Sequence, residues 1–195
     1  PLHVLAATVQ KAMLWMLGHA ASHVWLSTEG WLPWVTPFLR AGTPVSILPV
    51  SSPIEPQHGS DAGADAAAPH TPLVVGHFST YSPVVTVLLE PAMLALLDGS
   101  DAHVRLIGRD SERFAAAFVA RHPAHASRVH AVGTQPLSAL PAELAACDLM
   151  LQPYPDGITA RNTSALAALA FGVPVVSNSG PLTEPFWSET GAAIL

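Results

Sequence analysis

Between Pro153 and Thr163 the sequence PYPDGITARNT gathers Asp156, Gly157, Thr159, Arg161, Asn162 and Thr163 ahead of an Ala-rich segment. This is an unusual density of polar groups for a loop flanked by apolar runs. Gly157 permits close backbone approach, Asn162 or Thr163 can cap a following helix, and free N–H groups near Ser164 form a place for an anion beside the fixed charge of Arg161. A phosphate fits such a loop. An ordinary capped helix with a solvated arginine fits it equally, because capping residues occur at every helix start.

Other candidate chemistry is sparse. His122, His125 and His130 straddle a helix end, a loop and a strand start with no cysteine or carboxylate at ligand spacing, so no metal is expected. The sequence contains no Gly-x-Ser-x-Gly, Gly-x4-Gly-Lys-Ser/Thr, Cys-x-x-Cys or Gly-x-Gly-x-x-Gly pattern. Serine hydrolase, P-loop, thioredoxin and nicotinamide chemistry therefore have no support. A formal charge of -6, from eight Lys plus Arg against fourteen acids, lacks the basic surplus needed to bind nucleic acid. The single cysteine, Cys147, lies in an apolar stretch and is expected to be a buried thiol, which suits a reducing cytoplasm.

The elements that must position the loop can be read from periodicity and punctuation. Half of the 195 residues are hydrophobic, enough for one sizeable core, and no apolar run reaches the roughly 18 to 20 residues of a membrane span. Residues 3 to 20 predict a buried or amphipathic helix and His23 to Ser27 a short strand. Thr28 then caps a helix carrying Trp31, Trp34 and Phe38, ended by Gly42, and Val45 to Val50 is a strand. The Pro-, Gly- and Ala-rich stretch 53–72 predicts a flexible linker. From Leu73 onward strands and helices alternate. Strands are expected at Leu73 to Gly76, Ala102 to Ile107, Arg128 to Val132 and Leu149 to Gln152, with helices at Pro83 to Leu97, at Ser111 to about His122 with Asp110 or Ser111 as its cap, and at Ser138 to Cys147. A second buried strand follows Gly172. Such alternation predicts an α/β, Rossmann-like parallel sheet with helices on both faces. Ligands of these sheets sit at the carboxyl ends of the strands, which directs attention to loops 76–83, 108–111, 133–137 and 153–163.

Taken in order, Leu149 to Tyr154, Asp156-Gly157, Ala167 to Gly172 and Val173-Pro174-Val175-Val176 resemble the donor-binding region of retaining glycosyltransferases with the GT-B fold. Upstream, Val74-Val75-Gly76, Leu106-Ile107-Gly108 and Val129 to Gly133 are similar to the earlier strands of that domain. The resemblance covers roughly residues 70 to 195. It implies that 73–195 is a nucleotide-sugar donor-binding domain, truncated at its C-terminus, and that 1–52 is the end of an N-terminal acceptor domain with a second Rossmann-like sheet.

The resemblance also implies roles. Asp156 would be the catalytic residue, facing sugar hydroxyls, and the backbone of Gly157, Ile158 and Thr159 would lie near the donor. Gly76, His77, Arg161, Asn162, Thr163 and Ser164 would contact the donor's phosphates. The family's arginine and lysine fall at His77 and Ser82, neither permanently charged, so Arg161 is expected to take over their role while His77 donates one hydrogen bond. Ala167 stands where the family has its second glutamate; Glu184 either contacts ribose in its place or is a helix-start acid. No cofactor is implied, since the nucleotide-sugar, a UDP or GDP sugar, is a substrate. The acceptor is an unidentified sugar, lipid or protein, and peripheral association with a membrane is compatible with it. A bacterial-like cytoplasmic transferase is the implied activity, and a non-catalytic nucleotide-sugar-binding or scaffold module of the same fold is the alternative.

Overall fold

The computed structural model describes residues 2–52, Ile54 and 69–195. Most of the expected linker at 53–72 lies outside the described residues. The described residues form two sheets. The smaller pairs β1 (Val24–Leu26) in parallel with β2 (Val45–Ile47), after helix α1 (Leu2–Ala20). The larger is a five-stranded parallel sheet in the order β5-β4-β3-β6-β7. Its strands are β3 (Val74–Phe78), β4 (His103–Ile107), β5 (Val129–Gly133), β6 (Leu149–Leu151) and β7 (Val175–Val176).

Helices cover both faces of the large sheet, as the alternation predicts. On one face α3 (Pro83–Gly99) and α4 (Ser111–Arg121) bury Leu89, Met93, Leu97, Phe114 and Phe118 against Val104, Leu106 and Val129. On the other, α5 (Leu140–Ala145), α6 (Thr163–Ala170) and α7 (Phe186–Glu189) pack Leu144, Ala165, Ala168 and Trp187 against Ile107, Met150 and Val175. Burying each such large apolar side chain contributes about 1.5–3 kcal/mol. Small residues on α6 let it lie close to the strands. Gly76 serves the same closeness within β3, where an added Cβ would come 2.4 Å from Met150 Sδ and 2.6 Å from Cys147 Sγ.

Strand order reverses between β3 and β6, because β4 and β5 extend the sheet on one side and β6 and β7 on the other. Such a switch point opens a crevice at the carboxyl ends of the strands. Side-chain bonds fix the opposite ends. Arg128 donates from Nη2 to Leu97 O and from Nη1 to Ser100 O, both at 2.7 Å, which closes the C-terminus of α3. Asp148 accepts from the amides of His70 (2.8 Å) and Val74 (2.7 Å), pinning the start of β3 beside β6.

Four local expectations are corrected. The predicted aromatic helix is three short pieces: a 3-10 turn at Glu29–Trp31, α2 (Leu32–Val35) and a second 3-10 turn at Thr36–Phe38. Pro33 and Pro37 lack the amides that would carry one helix through. β3 continues through His77 and Phe78 instead of ending at Gly76, which buries His77. Asp110 precedes α4 with φ 68° and makes no capping hydrogen bond, so its backbone conformation rather than its carboxylate starts the helix. Finally, α1 exposes Leu5, Met13, Trp15, Met16 and Leu17 and is not buried among the described residues.

Candidate active site

The four strand-end loops singled out from sequence meet at one cleft. It has a volume of about 340 Å³ and is lined by Phe78, Ser79, Thr80, Gly108, Arg109, Thr134, Gln135, Leu140, Thr163 and Ser164. This is the size of a small-molecule site. Gly108, at φ +115°, makes the floor: a Cβ there would lie 2.1 Å from Ser79 O, so only glycine lets the ends of β3 and β4 converge. Gly108 N donates to Gly133 O at 2.9 Å, and Ser111 Oγ accepts from Gly133 N at 3.0 Å, so β4, β5 and α4 are tied at the cleft edge. Gln135 folds back on itself, its amide donating to Val132 O.

At the opposite wall stands the first turn of α6. Tyr154 orients it through a 2.8 Å hydroxyl–hydroxyl hydrogen bond with Ser164, and burial raises the Tyr154 phenol to about 12, so it stays protonated. The Ser164 amide donates to no backbone carbonyl among the described residues and is available at the cleft. An unpaired amide at a helix N-terminus favours an anion. Arg109 adds a permanent positive charge on the β4 side. Arg109 is not among the residues singled out from the sequence. Its signal was there, a cation directly after the glycine that ends a parallel strand.

The remaining predicted residues divide. Thr163 and Ser164 line the cleft; Asp156 and Arg161 are exposed and do not. The amides of Gly157, Ile158 and Thr159, expected to face the donor, are consumed internally. Gly157 N donates to Tyr154 O (3.1 Å), Ile158 N to Asn178 O (3.0 Å), and Thr159 N to Asn162 Oδ1 (2.6 Å). Asn162 therefore faces backward onto Thr159 rather than capping α6. The segment 177–184 also knits onto this loop, with Leu182 N donating to Asp156 O at 3.1 Å. Glu184 is buried and accepts from Ala160 N (3.2 Å) and Trp187 Nε1 (3.0 Å), so its carboxylate braces α7 against the loop.

His77 lies within β3 just before the cleft-lining Phe78. It is fully buried, its Nδ1 has no hydrogen-bond partner among the described residues, and desolvation lowers its pKa to about 3. The ring is neutral near pH 7 and supplies no charge to an anion. Its neighbour Tyr81 packs edge-on at 5.1 Å and donates to His77 O at 2.9 Å. Arg161 lays its guanidinium over the Trp31 ring, 5.4 Å from the centroid. Among the described residues no group of three or more His, Cys, Asp or Glu converges as metal ligands, and no helix is long and apolar enough to cross a membrane.

No family model matches the sequence, and no curated protein matches it significantly. Solved structures do match the fold. Sucrose-phosphate synthase from Thermosynechococcus elongatus aligns with 90% of this chain at a TM-score of 0.63 and 18% identity. HepE from Anabaena, solved with UDP and glucose, aligns with 88% at 0.58 and 19%. A point mutant of S. aureus TarM, in a complex that includes UDP, also aligns with 88% at 0.58, with 15% identity. The chain spans 44%, 48% and 33% of these three structures respectively. In its parallel strand order and switch-point cleft the chain shares the α/β, Rossmann-like fold of these GT-B glycosyltransferase structures.

Proposed function

We propose that this chain carries the nucleotide-sugar site of a glycosyltransferase that moves a sugar to an acceptor with retention of anomeric configuration. Residues 73–195 form the donor domain, and 1–52 belong to the acceptor-side domain. The observation that carries this is the cleft at the switch point, where Arg109 and the first turn of α6 face one small-molecule volume. Support comes from structures of the same fold, HepE and TarM, that hold UDP.

In this reading the diphosphate lies between Arg109 and the Ser164 amide, with the Ser79, Thr80 and Thr163 hydroxyls as further hydrogen-bond partners. Departure of the nucleoside diphosphate builds negative charge on phosphate. A guanidinium and a helix N-terminus stabilise that charge without reorganising, which lowers the barrier to transfer. Neutral His77 leaves Arg109 as the cleft's permanent cation. Asp156, exposed on the turn after β6, is assigned to the sugar or acceptor side in this reading.

Calorimetric titration of the full chain with UDP, GDP, their sugars and uridine tests this. Diphosphate-dependent binding is expected. Absence of binding by all of the nucleotides contradicts the proposal, and binding without turnover when an acceptor-side domain is supplied favours a non-catalytic binding module.

A further inference from the structure

Four of the seven arginines have protein acceptors, Arg113 at 3.6 Å from Asp110 among them, and Arg40, Arg109 and Arg161 have none among the described residues. Arg105 bonds Glu143, Arg121 bonds Glu90, and Arg128 bonds the carbonyls ending α3. Arg161 differs. It is exposed, makes no ion pair with a described residue, and instead rests on the face of Trp31. A guanidinium over an indole ring is attracted by the ring quadrupole, and none of the Arg161 N–H groups donates to an acceptor among the described residues.

The platform beneath it is itself anchored. The 3-10 turn carrying Trp31 seats on the 180–184 segment so closely that a Cβ on Gly30 would come 2.8 Å from Leu182 Cδ2, and Thr28 at its start is buried. Arg161 is thus a preorganised cation without a partner among the described residues, at the contact between the N-terminal elements and the loop that leads into α6. It stands outside the cleft assigned to the diphosphate, where Arg109 supplies the charge.

We infer that the acceptor of this transferase carries an anionic group, a carboxylate or a phosphate monoester, and that Arg161 laid on Trp31 selects it. This rests on the donor reading above for the position of the nucleotide. An oriented guanidinium pairs such a group through two parallel N–H bonds, which a neutral sugar cannot match. Trp31 is a positioning residue: it holds the guanidinium and touches no reacting atom.

The test is ligand-observed NMR on the full chain, with and without saturating UDP, using glucose 6-phosphate, glucuronate and glucose as probes. UDP occupies the cleft, so charge selectivity measured in its presence arises elsewhere. The charged sugars are expected to bind about tenfold more tightly than glucose. Arg161→Ala should erase that difference, Trp31→Ala should reduce it, and Trp31→Phe and Arg109→Gln should keep it. Equal binding of charged and neutral sugars, or selectivity that survives Arg161→Ala, overturns the inference and leaves UDP binding untouched. A preference for UDP-glucuronate over UDP-glucose that vanishes in Arg161→Ala puts the anion on the donor and also overturns it. Failure of UDP to bind while Arg161-dependent selectivity persists sinks the donor reading and supports Arg161 as an anion site.

Discussion

Gly157 and Gly180 stand backbone against backbone: a Cβ on Gly157 would lie 2.2 Å from Gly180 N, and one on Gly180 would lie 2.3 Å from the Asp156 carbonyl carbon. This contact turns the polar loop away from the role its composition suggests. The amides of Gly157 and Thr159 bond within the loop and that of Ile158 bonds Asn178 O of the neighbouring segment, and only the loop's last residues reach the cleft. Gly157 also has φ +81°, which disfavours any side chain. Gly157→Ala is expected to destabilise the fold by about 3 kcal/mol, from backbone strain and overpacking together. Urea denaturation checks this, and a loss under about 1 kcal/mol contradicts the packing described.

Arg109 is the cleft's permanent cation. Arg109→Gln should weaken UDP binding roughly ten- to a hundredfold, the range of a lost charge-assisted hydrogen bond, and leave uridine nearly unaffected. Calorimetry with both ligands distinguishes the outcomes: equal losses for UDP and uridine mean Arg109 does not meet phosphate.

Burial holds His77 near a pKa of about 3, whereas the unfolded chain protonates it near about 6.5. The unfolded state therefore binds more protons between these values. The contribution of neutral His77 is complete above about pH 6.5 and is lost as pH falls toward 3, at up to about 1.4 kcal/mol per pH unit. His77→Gln should flatten stability against pH between pH 6.5 and 4.5, measured by urea unfolding. An unchanged slope contradicts the buried, neutral assignment.

Asp148 is held below its ordinary pKa: burial works against this, and the amides of Val74 and His70 with the His70 ring outweigh it. A depressed carboxylate stabilises the fold above its unfolded pKa of about 3.9 and loses that contribution as pH falls through its folded value. Asp148→Asn should cost about 1–3 kcal/mol at neutral pH and less below pH 3, by the same unfolding measurement. A cost independent of pH contradicts a role for the charge.

The alternation of strands and helices from Val74 onward was legible because glycines and apolar runs mark each element, and strand alternation itself pointed to the loops that line the cleft. Thr163 and Ser164 were legible as a helix start. What was not legible depends on distant contacts. Nothing local to Gly157, Ile158 or Thr159 reveals that 177–184 packs over their loop, and nothing local to Glu184, a ribose contact or a helix-start acid by sequence, reveals its bonds to Trp187 and Ala160. His77 looked like a loop residue because Gly76 suggested a strand end; the register with Leu106 extends β3 past it. The aromatic segment after Thr28 has helical spacing, yet Pro33 and Pro37 decide its shape.

In the proposed function the switch-point cleft takes a nucleoside diphosphate. Backbone amide NMR of the full chain during UDP titration tests it most directly. Saturable shifts concentrated at Ser79, Gly108, Arg109, Thr134, Gln135 and Ser164 are predicted, with small shifts at Gly157 to Thr159. No saturable shift, or shifts centred away from the ends of β3, β4 and β5 and the start of α6, would contradict it.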